Sequence, residues 1–130
     1  MSAEVRTHLG ISQRLCGEPL ELSDGFASAR LRATAEMAVD ERGLVHGGFV
    51  FGLVDHAAML AINDPLVVLG SAEVRFVAPV RVGDDVIASA RVSDTKGKKR
   101  TLTVTASVGA REVLAGTLTA FVLDNHVLDG

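Results

Sequence analysis

The longest apolar stretch of the chain covers residues 49–62 and follows the glycine pair Gly47 and Gly48. A helix built from these residues is apolar on nearly every side, and Asp55 is its one acidic residue. A helix of this kind must be buried, either in a core or against a partner. The pattern therefore predicts one long buried helix that begins at the glycine pair and ends at residues 63–65, where the sequence Asn-Asp-Pro stops it.

Several other stretches have the pattern of strands. Apolar and polar residues alternate with a period of two, which is typical of a strand with one buried face, and the last stretch is apolar or threonine throughout. The predicted strands cover residues 27–35, 71–78, 86–92, 101–108 and 113–123. Turn residues separate the later strands at 82–85, 96–99 and 109–111. Earlier in the chain we expect a short helix over residues 3–9 and a strand over residues 11–16.

One long helix among antiparallel strands indicates an α+β fold in which the sheet wraps around the central helix. A length of 130 residues suits a single domain, which we assign to residues 1–130. The helix is apolar on more sides than one sheet face covers. A second copy of the chain is the simplest cover for the remainder, so we expect a homodimer, with a homotetramer as the larger alternative.

Composition and charge narrow the class of protein. Hydrophobic residues make up 48% of the chain and charged residues 22%, and the formal net charge of -3 argues against a nucleic-acid partner. The single cysteine, Cys16, excludes an intrachain disulfide and fits a reducing compartment. The first residues lack the pattern of a signal peptide, and residues 49–62 are too few to span a bilayer. We therefore expect a soluble cytoplasmic protein with no membrane partner.

Asp55 is the first candidate for chemistry. A carboxylate in apolar surroundings is costly unless it is paired or hydrogen-bonded, and perturbed ionisable groups cluster at functional sites. The alternative is a structural acid that caps or pairs with a neighbouring chain.

Two motifs resemble a known family. The stretch from His46 to Asp55, with its His-Gly-Gly entry and an aspartate seven residues after the second glycine, is similar to the hot-dog-fold acyl-CoA thioesterases of the phenylacetate-pathway type. Residues 75–84 resemble the strand and Pro-x-x-x-Gly-Asp turn of the same family. The resemblance covers residues 9–123 and implies a hot-dog fold and hydrolysis of an acyl-CoA. Many relatives carry an arginine where this chain has Ala78, so a contact with coenzyme A is either absent here or supplied elsewhere.

Thioester hydrolysis needs a polarised carbonyl and a nucleophile. Backbone N–H groups at a helix N-terminus stabilise developing negative charge, and glycine allows close approach, which makes Gly47 and Gly48 candidates for an oxyanion site. Their alternative role is a tight turn into the helix. Asp55 would either attack the carbonyl directly or take a proton from water.

The spacing of Gly47 and Asp55 adds a constraint. On one helix they lie about 12 Å apart along the axis, whereas a reacting carbonyl needs both groups within about 3 Å. We therefore predict that Gly47 of one subunit works with Asp55 of another across a two-fold axis. The family resemblance implies the same shared site.

Other candidates are weaker. His46 would hold the thioester or orient the loop. Lys98 and Arg100 belong to a basic cluster at residues 96–100 that would bind the phosphates of coenzyme A as mobile charges, or would simply form a solvated hairpin tip. Asn63 is more typical of a helix cap or turn than of a substrate contact. The histidines lack metal-ligand spacing and no nucleotide-type glycine motif occurs, so we expect no cofactor other than the coenzyme A of the substrate.

Two other functions stay open. The superfamily includes a regulator that binds an acyl-CoA without cleaving it, and that type carries an added DNA-binding segment. About 25 residues precede the first clear long strand of this chain, which is short for such a segment. The superfamily also includes hydratases and dehydratases, which need a differently placed acid and base. The fold alone does not decide among these functions.

Overall fold

The computed structural model describes residues 3–130. Within this range six antiparallel strands form one sheet in the order β1-β2-β4-β5-β6-β3. The strands are β1 (Glu18–Ser23), β2 (Phe26–Arg32), β3 (Val67–Phe76), β4 (Asp85–Lys96), β5 (Lys99–Val108) and β6 (Arg111–Val122). Two α-helices precede β3, namely α1 (Gln13–Cys16) and α2 (Gly47–Ile62).

The long helix α2 begins and ends where the sequence predicts. His46, at the N-cap position, has extended backbone (φ -62°, ψ 129°). Asn63 ends the helix in the left-handed region (φ 55°, ψ 42°), which asparagine tolerates better than most residues, and its N–H donates to the carbonyl of Met59 at 2.8 Å. None of the helices within residues 3–130 combines the length and hydropathy needed to cross a membrane.

Small side chains bring α2 close to the sheet. The helix packs mainly on β2 and β4. Alanines of β2 lie opposite alanines of β4, and α2 contributes three alanines of its own. Small residues therefore face each other from the sheet and from the helix. All of these alanines are buried: Ala27 with Ala90, Ala29 with Ala88, and Ala57, Ala58 and Ala61 of α2. Larger core residues such as Leu31, Leu53 and Leu60 fill the space around them.

The ladders of the sheet contain irregularities that add to its curvature. Register shifts occur in β1, β3, β4 and the β5–β6 pair, and such bulges bend a strand and increase its twist. At Gly70 in β3, a Cβ atom would lie 2.5 Å from the ring of Phe121, so glycine allows the ring to cover the strand. The result is the predicted architecture, an α+β hot-dog fold with an antiparallel sheet around one long helix.

Two predictions for the first part of the chain are wrong. Residues 3–9 form no helix, and residues 11–16 contain the short helix α1 instead of a strand. Gly17 ends α1 with a positive φ of 93° and packs against Leu53 and the carbonyl of Arg30. The first strand is β1, an edge strand that tolerates Pro19 because one side of its backbone is unpaired. A stretch of six residues is too short for its own pattern to override these tertiary contacts.

The strand predicted over residues 27–35 is also shorter than expected. β2 ends at Arg32, and residues Ala35–Met37 form one turn of 3-10 helix. Ala33 continues the buried face, but Ala35 is exposed. The three later predicted turns are confirmed, with Gly83, Gly97 and Gly109 in the positive-φ region that favours glycine.

Candidate functional site

One narrow stripe of α2 stays uncovered within a single chain. Gly48 is exposed and Gly52 and Asp55 are half-buried, whereas Leu53 and Val54 are fully buried. Positions 48, 52 and 55 share one helix face because they are separated by four and three residues. A Cβ atom built on Gly52 meets no other atom within 4 Å. The sheet and the N-terminal segment thus cover more of α2 than the sequence pattern led us to expect, and the uncovered stripe contains the candidate acid.

The Asp55 carboxylate is perturbed by its surroundings. Among residues 3–130 no hydrogen bond to its side chain is found. Burial raises the pKa of Asp55, and the charge of His56 opposes this rise in part. Burial, and after it the Asp55 charge, raises the pKa of the Cys16 thiol, so the end of α1 lies close to the carboxylate. Asp55 therefore holds its proton more tightly than a solvated aspartate does.

His56, the next residue along α2, has a structural position. It is 2% exposed, and its Nδ1 donates to the carbonyl of Cys16 at 3.2 Å. Its ring stacks on His8 with centroids 6.1 Å apart, and His8 in turn contacts the hydroxyl of Thr7 at 2.9 Å. Burial lowers the pKa of both histidines. These contacts attach the N-terminal segment to α2 beside the candidate acid.

The start of α2 offers unpaired amides. The first N–H groups of a helix have no intrahelical acceptor, and within residues 3–130 the start of α2 has no side-chain capping hydrogen bond. The exposed His46 ring lies over Gly48, where a Cβ atom would be 2.7 Å from its Nε2. A Cβ atom on Gly47 would lie 3.2 Å from Cε1 of Phe76. A side chain at either glycine would therefore meet a neighbouring ring, His46 at position 48 and Phe76 at position 47.

An apolar groove of about 320 Å³ is lined in part by Gly47. Its walls come from the start of α2, the end of β3 and the loop after it, and β6. The residues that form it include Val45, Val50, Phe76, Val77, Pro79 and Val113. Phe76 is 57% exposed and Val77 51% exposed, which is unusual for large apolar residues. The alternation of residues 71–78 predicted a strand but did not single out Phe76 as part of a site, because only the fold places it against Gly47.

The remaining predicted site residues lie at the other end of α2. Asn63 accepts from the N–H of Arg6 at 2.7 Å and donates to the carbonyl of Glu4 at 2.8 Å. These contacts give it the predicted cap role, and its contact with substrate stays a prediction.

Lys98 and Arg100 lie on the β4–β5 hairpin. Lys98 pairs with Asp124 at 2.6 Å, and Arg100 donates to the carbonyl of Gly97 at 2.8 Å. Arg100 lines a cavity shared with Ile62, whereas Gly47 lies at the opposite end of the helix, about 22 Å from Ile62 along the axis at ~1.5 Å per residue. A single chain does not bring this cluster together with the start of α2.

The position with alanine in place of the family arginine lies in the groove. Ala78 lines it, and Arg111 on β6 donates to the carbonyl of the adjacent Pro79 at 2.8 Å. Arg111 also lies 3.6 Å from Asp84. Within the described residues, no group of three or more histidine, cysteine or acidic side chains is arranged to hold a metal ion.

Comparison with curated proteins gives two relatives of different kinds. The chain is 47% identical over 122 residues to the methylthioribose-1-phosphate isomerase of Aquifex aeolicus, covering 93% of this chain and 27% of that protein. It is 27% identical over 126 residues to the transcription factor FapR of Caldanaerobacter subterraneus, covering 96% of this chain and 62% of that protein. The chain thus spans about a quarter of the first relative and about three fifths of the second.

Solved structures give the same fold. A Pyrococcus horikoshii protein superposes with a TM-score of 0.98 at 49% identity and 99% coverage of both chains. A point mutant of the phenylacetic acid degradation protein PaaI of Thermus thermophilus superposes with a TM-score of 0.76 at 29% identity. The match covers 84% of this chain and 95% of that one. A hypothetical thioesterase of Streptococcus pneumoniae, solved with coenzyme A, shares the fold with a TM-score of 0.73 at 18% identity. The match covers 82% of this chain and 84% of that one.

The match to a family model decides the relationship. Residues 42–115, more than half of the chain, match the model of the thioesterase superfamily, and they contain α2 with both of its candidate groups. The resemblance to hot-dog thioesterases seen in the two sequence motifs is thereby confirmed. The chain belongs to the thioesterase superfamily.

Proposed function

We propose that this protein is an acyl-CoA thioesterase whose active site is shared between two subunits. The observation that carries the proposal is the perturbed Asp55 carboxylate on the glycine-lined, uncovered stripe of α2. The start of the same helix adds unpaired amides beside an apolar groove. The coenzyme A bound to a thioesterase of the same fold supports an acyl-CoA as the ligand. Release of free thiol from acyl-CoA substrates is the direct test.

The chemistry needs few groups. The Gly47 N–H donates to the thioester carbonyl oxygen and stabilises the negative charge that develops there. Asp55 takes a proton from water as the water oxygen bonds to the carbonyl carbon, or the carboxylate attacks that carbon itself and water then hydrolyses the anhydride. In either route the C–S bond breaks and the thiolate of coenzyme A leaves and takes up a proton; in the second route this departure forms the anhydride, before water hydrolyses it. No further cofactor enters this scheme.

Two features support a dimer with antiparallel central helices. Gly47 and Asp55 are separated by about 12 Å along α2, so one carbonyl does not contact both within a chain. β3 is an edge strand of ten residues, most of them exposed, and a long open edge is a ready surface for pairing with another chain. A two-fold axis beside α2 would place Asp55 of each subunit against the start of the other helix.

The pH dependence of hydrolysis follows from the pKa of Asp55. The carboxylate must be deprotonated to act as base or nucleophile, and burial raises its pKa. We therefore expect kcat/KM to fall on the acid side with a midpoint above the value of about 3.9 that is usual for aspartate. A pH profile with a substrate that hydrolyses slowly in buffer measures this midpoint. A profile flat down to the ordinary carboxyl pKa would remove Asp55 from this role.

Gly52 tests whether the uncovered stripe is the working surface. Within one chain a Cβ atom at position 52 meets no atom within 4 Å, and replacing glycine in a helix by alanine adds about 0.5–1 kcal/mol of stability. We expect Gly52→Leu to fold but to lose at least tenfold in kcat/KM, because its side chain fills the cleft between subunits. Thiol release and thermal unfolding measure the two effects. Gly10→Leu, also in open space, is the matched control and should keep full activity.

A second candidate is an acyl-CoA-binding module without hydrolysis. The similarity to the transcription factor FapR over 96% of this chain favours it. Calorimetry and thiol release on the same acyl-CoA separate the two candidates. Tight binding with no thiol released would favour the binding module, whereas multiple turnovers support the enzyme.

A further inference from the structure

We propose that the groove beside Gly47 binds the acyl part of the substrate, that this part is an uncharged apolar group, and that Phe76 determines its width. The proposal rests on the thioesterase function proposed above and adds the substrate class. It depends on the position of the groove, on the chemistry of its lining and on the contact between Phe76 and Gly47.

The position of the groove beside Gly47 limits which part of the substrate it can bind. A thioester carbonyl bound by the Gly47 N–H carries two substituents, the acyl chain and the sulfur of coenzyme A. Gly47 itself lines the groove, so a carbonyl held by its N–H has one of these two substituents next to the groove. The coenzyme A arm contains amides and phosphates, which need polar partners, whereas an alkyl or aryl group does not.

The lining of the groove matches the apolar substituent. Its walls contain valine, alanine, proline and phenylalanine side chains and no charged residue. An acyl group with a terminal carboxylate would lose its hydration there without gaining a partner, which is costly. An aliphatic or aryl group would instead remove its own surface and the exposed surfaces of Phe76 and Val77 from water. A volume of about 320 Å³ is at the small end of ligand pockets.

The walls of the groove are held by backbone contacts. The N–H groups of Val77 and Ala78 both donate to the carbonyl of Val113, at 2.8 and 3.4 Å, and Arg111 holds the carbonyl of Pro79 at 2.8 Å. The β3 end and the loop after it are therefore fixed to β6. Phe76 is the member of the wall nearest the proposed carbonyl site, because its ring lies 3.2 Å from the Cβ position of Gly47. A change in its size alters the groove where the acyl chain enters.

A panel of coenzyme A thioesters tests the substrate class. The panel contains linear acyl groups of four to twelve carbons, phenylacetyl, and glutaryl as the charged counterpart of a short chain. Each added methylene that is buried should raise kcat/KM about fourfold until the groove is full. Glutaryl-CoA should be hydrolysed at least a hundredfold more slowly than valeryl-CoA. Equal rates for these two would overturn the proposal.

Variants of Phe76 test the determinant of width. Phe76→Ala should shift the ratio of kcat/KM for phenylacetyl-CoA over butyryl-CoA at least tenfold toward the bulkier group, and Phe76→Leu should shift it less. The ratio cancels any common loss at the Gly47 amide. Leu20→Ala is the matched control, because Leu20 is an exposed apolar residue on the opposite edge strand, and its ratio should equal that of the original chain. A ratio unchanged in Phe76→Ala would overturn the inference.

Two further outcomes distinguish failure of the proposed function from failure of this inference alone. If the unmodified protein releases no thiol from any member of the panel, the proposed function fails and this inference fails with it. If thiol is released but Phe76→Ala turns a dimer into a monomer by light scattering while Leu20→Ala does not, the groove is a contact with a second copy of the chain. That result overturns the inference and leaves the thioesterase function standing.

Discussion

Asp55→Asn is expected to lower kcat for acyl-CoA hydrolysis by a factor of about 10³, because a positioned base or nucleophile is lost while the shape of the site is kept. Asparagine is nearly isosteric with aspartate, but its amide does not accept a proton near neutral pH and does not attack a carbonyl effectively. KM should change little, since binding depends on the groove and the amides. Thiol release under saturating substrate measures the effect.

The same variant should be more stable than the original chain at neutral pH. Burial raises the folded-state pKa of Asp55, so the stability that this group contributes is complete below the pKa of the unfolded chain and is lost as pH rises through the folded pKa. At neutral pH the charged carboxylate is therefore a net cost, which asparagine removes. Asp94→Asn, at an exposed acid on β4, is the matched control and should change neither activity nor stability. Asp55→Asn with full turnover would show that the carboxylate is structural.

Mixing two inactive variants is expected to restore hydrolysis if the site is shared. Asp55→Asn lacks the acid and Gly47→Val blocks the amide, but a mixed dimer contains one site with both groups intact. With random exchange of subunits, about a quarter of the original activity should return, because half of the dimers are mixed and each has one working site. The ring of Phe76 next to position 47 is exposed, so it has room to move for the valine.

The control for this experiment is each variant alone under the same exchange conditions. Partial unfolding followed by refolding of the mixture allows subunits to exchange, and light scattering confirms that dimers form again. Activity that stays at the level of the separate variants, in a mixture shown to contain mixed dimers, would mean that each chain holds its own complete site. The antiparallel arrangement of the two helices would then be wrong.

Long periodic stretches were predicted well, and short ones were not. The helix from Gly47 to Ile62 and the later strands have patterns of ten or more residues or clear alternation, and the structure confirms them. The first sixteen residues have no such pattern. There α1 and the irregular segment before it are held by tertiary contacts, namely those of Asn63 with Arg6 and Glu4 and of His56 with Cys16. Short segments adopt the backbone that their neighbours impose.

The candidate site divides in the same way. The motif from His46 to Asp55 lies on one helix, so its spacing and its distance constraint could be obtained from the sequence. The groove could not, because it joins the start of α2 to the end of β3 and to β6. The surroundings of the basic cluster at residues 96–100 could not be obtained from the sequence either. Lys98 pairs with Asp124, Arg100 donates to the carbonyl of Gly97, and both lie far from Gly47 in the same chain, so a contact with coenzyme A stays a prediction.

The sequence by itself determined the long apolar helix, with its acid and its glycine pair, because an apolar run of fourteen residues bounded by glycines and by Asn-Asp-Pro is too long for a buried strand. It also determined the antiparallel strands, because their alternation with a period of two is typical of extended backbone. Only the tertiary structure decided which stripe of that helix stays open and which side chains meet at its start. Those features depend on how the curled strands and the N-terminal segment cover the helix. Such contacts join residues that are distant along the chain, and they produce no repeating pattern in the sequence from which they could be predicted.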